Sequence, residues 1–382
     1  MPPTDMPESN ARLDVTSPVA PPRPTVPLVP TAGAAFPSSA GVPGADSGAP
    51  AASGAPAGFG STYGSEIRNF LKARSSGKVA DSSFAVLMVV CALSVIFIVL
   101  LIVFVLVDNS RMSLHAFGFK FFTSSQWDPV NGSFGALPFI YGTVVSSLLA
   151  TAIAVPLSIA VAIFILDVCP IPLRGVVAFL TELLAAIPSV VYGLWAIFVL
   201  VPLVRDRLGP VLERTLGWTG LFTEPNFGVG ILTASLILAV MIFPVICSIS
   251  RDVMRAVPTS QREAALALGA TRWEMIRIGV LRNARMGIVG AVILGLGRAL
   301  GETMAVTMVI GNHPDISKNL FNPAYTLASV IANEFTEATG DLYLSALIEI
   351  GLALFLVTIV VNAIARLLMW AVTRGNAARA TA

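Results

Sequence analysis

Charge is what this 382-residue chain is shortest of: only 12% of its residues are Asp, Glu, Lys or Arg, about half the ~25% of a soluble globular domain. So few charged side chains cannot clothe a water-facing surface. Histidine is almost missing as well, and neither His115 nor His313 has a second ligand at helical spacing, which leaves metal binding unsupported. The three cysteines, Cys91, Cys169 and Cys247, form no CxxC pair and read as small buried hydrophobes. A net charge of +2, with no basic face outside one loop, gives no support for nucleic-acid binding. No GxxxxGK[ST] occurs, so the chain brings no phosphate-cradling nucleotide loop of the usual kind. No nucleophile arrangement or His/Cys/Asp cluster suggests a membrane-bound enzyme. No cofactor is expected.

What is abundant is apolar, 55% of all residues, in runs longer than the roughly 18 residues that cross a bilayer core of about 30 Å. The reading is an all-α polytopic membrane bundle with six transmembrane helices, at about 84–107, 141–166, 176–204, 228–250, 286–310 and 343–370. Pro156 and Pro188 fall inside the second and third, where neighbouring helices can satisfy the freed carbonyls. Residues 1–65 hold 13 of the 26 prolines amid Ala, Gly and Ser, a composition that cannot offset its own ordering entropy, so a disordered tail without the features of a secretory signal is expected there. A basic juxtamembrane segment at 66–83 and a short tail at 373–382 complete the division.

Six spans put both termini on one side. Seventeen Lys and Arg fall on the side of the termini and of the loop from Arg251 to Arg285, against six on the other; the excess of positive charge places that side, and both termini, in the cytoplasm of a cell inner or plasma membrane. The opposite loop at 108–140 is rich in aromatics, LHAFGFKFF and then Trp127, as suits a stretch lying at the membrane surface.

The basic loop carries a second pattern. Ser260 and Glu263 stand three apart, the spacing of a reciprocal N-terminal cap, and Thr271 and Glu274 repeat it. A first helix of about 12 Å is expected from Ser260 to a stop at Gly269, and a second from Arg272 toward Arg282. The small residues Ala264 and Ala265 would let another protein approach closely, although a plain linker between spans has the same ingredients. In the fifth span Arg298 and Glu302 lie four apart. Each charge at mid-bilayer costs about 2.5–3.5 kcal/mol, so neither should face lipid. They are expected to share a helix face and pair, with Gly297 and Gly301 allowing a second helix close beside them. A structural ion pair is one reading. The other is a substrate pathway, in which a planar guanidinium offers two parallel hydrogen bonds to an oxyanion.

These residues carry a resemblance. Glu263-Ala264-Ala265, Gly269-Ala270, Ile278 and Leu281 match the EAA loop of binding-protein-dependent ABC importer permeases, although Arg282 stands where that pattern has proline. GRALGETMAV around Arg298 and Glu302, FGALPFIYGT at 134–143 and IPSVVYGLW at 187–195 resemble the C-type permease subunits of phosphate (Pst) importers over about residues 84–372. The resemblance implies a MetI-like permease fold and alternating access. It implies that Glu263, Ala264, Ala265 and Gly269 dock an ATPase, and that Arg298 and Glu302 line a phosphate pathway. It also implies the partners: a second permease subunit (PstA-like), a cytoplasmic ABC ATPase dimer (PstB-like) and an extracytoplasmic phosphate-binding protein (PstS-like), with lipid around the bundle. Transport of another oxyanion, sulfate or molybdate, and an autonomous channel or ion-coupled carrier are the alternatives.

Overall fold

The computed structural model describes residues 61–377, without the side chains of residues 61–80, 368 and 371–377. The expected tail over 1–65 therefore falls outside the described residues up to residue 60. From Ser61 the chain is helical as far as Asn109. At the other end, helix Asp341–Ala377 occupies the first half of the expected 373–382 tail, whose last residues are likewise outside the description. The described residues fall into two units divided between residues 78 and 79, and everything below concerns the second.

Six helices are long and apolar enough to cross a membrane: Asp81–Asn109, Leu137–Val168, Ser189–Thr219, Ile231–Arg255, Arg272–Leu300 and Asp341–Leu367. No β-strand occurs among the described residues. The fourth is the hub. Of its most apolar stretch 72% is buried, against none of the first helix's. Ile237, Ile242 and Ile246 of the fourth lie fully inside, against small residues such as Ala150, Ala154 and Ala291 of the second and fifth. Small faces around one bulky helix let backbones come close, which is how helices associate when lipid removes the hydrophobic drive.

Two spans depart from the sequence reading. The third does not run through Pro188: a helix at Ile171–Ala186 ends, Ile187 and Pro188 are extended (ψ 130 and 141), and the crossing helix starts at Ser189. Pro188 lacks the N–H that would close the preceding turn. Gly193, one turn further on, is the close-approach point: a Cβ there would meet Ala305 Cα at 3.1 Å. The fifth stops at Leu300 rather than near residue 310; Gly301, Glu302 and Thr303 are non-helical before a single turn at Met304–Thr307.

The aromatic loop also differs. Instead of lying as a surface anchor, it folds inward: Phe121, Phe134 and Phe139 are buried with Tyr325 in a second core. Trp127 sits edge-on to Phe134 and Phe139 at 5.0 and 4.9 Å and donates its indole N–H to Glu334 Oε2 at 2.8 Å. Phe119 alone of these stays fully outside. Cys169 and Cys247 are buried as expected, whereas Cys91 is exposed on the first span.

Candidate functional site

Arg298 occupies the last turn of helix Arg282–Leu300, about 20 Å along the axis from Arg285 and therefore well inside the apolar layer. The sequence placed it on one helical face with Glu302, paired. The structure separates them: the helix ends between the two, no salt bridge joins them among the described residues, and Glu302 Oε1 instead accepts the backbone N–H of Ala305 at 3.4 Å. The reason is local. The turn Met304–Thr307 needs an acceptor for its free amides, and a carboxylate two residues ahead meets that need better than a side chain a helical turn behind.

Arg298 is left exposed, without a hydrogen bond or ion pair among the described residues. Tyr192 of the third span lies within its field. A groove of about 1180 Å³ opens beside it between the fourth, fifth and sixth spans, lined by Arg298, Arg366, Thr358 and Asn362 on otherwise apolar walls. Asn362 Oδ1 is buried there without a partner. Gly297 and Gly301 have no second helix tightly against them in this chain, the nearest atoms to an added Cβ being Asn362 Nδ2 at 4.0 Å and the carbonyl of Gly297 itself at 3.8 Å. The end of the fifth helix is thus a broken helix at membrane depth. Such irregular backbone is tolerated only against protein or water, because lipid cannot satisfy its carbonyls.

The second cluster lies in the loop between the fourth and fifth spans. Helix Thr259–Ala267 starts from Pro258 (φ −56, ψ 140), with no side-chain cap. Ser260, expected to cap it, is already inside the first turn, where its hydroxyl cannot reach back to an amide three residues on; the extended proline has taken the boundary position. The helix closes at Gly269 (φ +83): the Gly269 N–H donates to Leu266 O at 2.9 Å and Ala270 N–H to Ala265 O at 3.2 Å, the paired bonds of a left-handed glycine stop. Thr271 then caps the next helix reciprocally. Glu274 N–H donates to Thr271 Oγ1 at 3.3 Å and Thr271 N–H to Glu274 Oε2 at 2.8 Å.

From Arg272 the backbone is helical without interruption, through a wider turn at Met275–Leu281, to Leu300, so the expected short second helix is the foot of the fifth span. Arg282, which stands where the family pattern has proline, keeps its N–H and lets that helix continue. Glu263 and Ala264 are exposed, Ala265 half-buried, and around them Leu268 is 90% and Trp273 60% exposed. Beneath, Asn283 Nδ2 donates to Gln261 Oε1 at 2.6 Å and braces the hairpin.

Two ion pairs were not legible in the sequence. Arg262 Nη1 meets Asp167 Oδ1 at 2.7 Å, tying helix Thr259–Ala267 to the end of the second span, and Arg251 Nη2 meets Glu182 Oε1 at 2.8 Å. The partners lie 95 and 69 residues apart. The one available hint was that seven basic residues in one loop need counter-charges. Glu349 of the sixth span is fully buried and does not line the groove. Among the described residues, no group of three His, Cys, Asp or Glu side chains is placed to hold a metal.

Residues 154–374 match the family described as "Binding-protein-dependent transport system inner membrane component". The chain is 50% identical over 265 residues to a "Phosphate transport system permease protein PstC" of Mesorhizobium japonicum, covering 68% of this chain and 81% of that protein. It is 46% identical to the Haemophilus influenzae protein of that name (73% and 89% covered) and 42% identical to "Phosphate transport system permease protein PstC 2" of Mycobacterium tuberculosis (72% and 86% covered). A solved structure of the MetNI methionine ABC transporter shares 19% identity at a TM-score of 0.40, covering 61% of this chain and 93% of that one, which is too slight a likeness to bear on the argument. By its family match and by these relatives, the chain belongs to the binding-protein-dependent inner-membrane transport components, within the PstC family of permease proteins.

Proposed function

We propose that the chain forms one half of the pathway of an ATP-driven inorganic phosphate importer, with Arg298 lining the passage. One observation carries the reading: a guanidinium at membrane depth, exposed and unpaired, at the end of a broken helix beside an open groove. Lipid cannot be its environment at about 2.5–3.5 kcal/mol. Water or a second permease chain must cover it. A guanidinium facing an aqueous seam suits a tetrahedral oxyanion, to which it donates two parallel bonds.

Glu302 takes a different part from the one its spacing suggested. By holding the turn Met304–Thr307 through Ala305, it sets the irregular backbone that follows Arg298 instead of neutralising the arginine directly. The exposed hairpin with Glu263, Ala264, Ala265 and Gly269 docks an ATPase subunit; Leu268 and Trp273 supply the apolar contact that a water-facing loop would otherwise not display. The positive-inside count puts that hairpin and both termini in the cytoplasm. The complete transporter then comprises this chain, a second permease (PstA-like), an ATPase dimer (PstB-like) and an external phosphate-binding protein (PstS-like).

Phosphate rather than sulfate or molybdate is favoured by the names its relatives bear. An autonomous carrier is disfavoured by family membership and by the docking hairpin. The test is labelled phosphate uptake into proteoliposomes holding the assembled transporter, with sulfate and molybdate as competitors. A loss of ATP-dependent uptake of at least about tenfold in Arg298→Gln, in a correctly assembled complex, is expected, while wild-type uptake by that variant removes Arg298 from the pathway.

A further inference from the structure

A second cleft, of about 550 Å³, lies at the foot of the docking helix, away from the groove beside Arg298. We propose that it binds the phosphodiester headgroup of an anionic membrane phospholipid. Its position follows from two helix ends: the second span finishes at Val168 and the fourth at Arg255, so the cleft sits at a boundary between apolar layer and water. Four arginines line it, Arg174, Arg251, Arg255 and Arg262.

The nearby carboxylates account for only two of these. Arg251 is held by Glu182 and Asp252, and Arg262 by Asp167. Arg174 spends its Nε–H on the Cys169 carbonyl at 2.9 Å, and Arg255 has no hydrogen bond or ion pair among the described residues. The four arginines thus outnumber these three carboxylates, Glu182 lining the cleft itself, by one positive charge, and Arg174 and Arg255 keep guanidinium N–H groups free of any carboxylate for a ligand. An anionic group held by guanidinium donors is the chemistry that fits.

A free phosphate ion and a lipid headgroup share that chemistry; the walls decide between them. The floor of the cleft is apolar, with Ile165, Leu166 and Val257. Helix Ile171–Ala186, which begins at its rim, shows an exposed apolar face of Ile171, Val176, Phe179 and Leu183 along which acyl chains can lie. Basic pockets between helix ends on one leaflet are the usual seat of acidic headgroups. Because Thr259 and Arg262 belong both to the cleft and to the docking helix, a bound headgroup would fasten that helix to the two span ends.

Native mass spectrometry of the whole detergent-purified transporter, titrated with phosphatidylglycerol or phosphatidylcholine, tests this independently of transport. Selective phosphatidylglycerol binding is expected, weakened about fivefold for each charge removed in Arg174→Gln and Arg255→Gln. It should be kept in the double variant Arg174→Lys with Arg255→Lys and unchanged in Lys318→Gln. Because Arg255 has no partner to lose, the single Arg255→Gln should assemble even where the double variant does not. Equal binding of phosphatidylcholine, undiminished binding by Arg255→Gln, or displacement of the lipid by inorganic phosphate would each overturn the assignment, the last by giving the cleft to the free ion.

Discussion

A guanidinium held in an apolar layer without a counter-ion is defined by what it is waiting to meet. Arg298→Gln is shorter, keeps two N–H donors of the five and loses the charge. Phosphate uptake by the assembled transporter should fall at least about tenfold, since hydrogen bonds to a charged group contribute about 1.5–3 kcal/mol. Arg298→Lys should fall between the two, having a charge but no parallel pair of donors. At Glu302 the carbonyl oxygen of Gln still accepts from Ala305, so Glu302→Gln should retain most uptake and Glu302→Leu should not. Parity between the Arg298→Gln and Glu302→Gln losses would restore the ion-pair reading. Asp128 offers a pH test elsewhere on the molecule. Hydrogen bonds from the Asn131 side chain first, then from the Asn131 and Val130 backbone, hold its carboxyl below the ordinary value of 3.8. A lowered folded pKa contributes stability above the unfolded value and loses it as pH falls through the folded one. With the Glu334 carboxylate that accepts from Trp127 replaced by Glu334→Gln, the fluorescence of neighbouring Trp127 should therefore be flat at neutral pH and change only on strong acidification, and Asp128→Asn should reduce that transition.

Among the elements, the hairpin between the fourth and fifth spans separates two caps that look alike in sequence. Thr271→Ala should cost about 1 kcal/mol of local helix stability, seen as faster hydrogen exchange at the Glu274 amide, while Ser260→Ala should change little because that hydroxyl caps nothing. Gly269→Ala meets no neighbour within 4 Å yet must hold φ +83, a strain of about 1–2 kcal/mol. Reduced co-purification of the ATPase with an otherwise intact membrane bundle is the expected result, read by size-exclusion chromatography. Thr271 and Gly269 were legible because a cap and a glycine stop depend on three or four adjacent residues. Ser260 was not, because the proline two residues earlier decides where the helix begins. A proline inside an apolar run does not say whether the helix kinks or ends, and Pro188 ends it. The break at 301–303 was hidden because apolar sequence resumes beyond it, where the third span's first turns are seated on Met304–Thr307 through Gly193 and Ala305.

For the molecule as a whole, the six spans and the helical class were readable from run length alone, because lipid leaves a backbone few other choices. The site was half readable. Composition could say that Arg298 must avoid lipid, but not that the helix ends two residues later or that a groove opens there. The first span is unburied along its apolar stretch, and the groove stands open, so this chain reconstituted alone should take up no phosphate, with or without ATP; measurable uptake by the single chain would revive the autonomous carrier. The unbroken helix from Arg272 to Leu300 has a mechanical consequence. It makes a strut about 40 Å long whose lower end is the capped foot at the hairpin and whose upper end bears Arg298. Leaning that strut by some 5° swings its tip through an arc of about 3 Å, roughly the reach of one hydrogen bond. On the proposed docking and pathway, a small push at the hairpin is enough to offer the guanidinium to an oxyanion or to withdraw it.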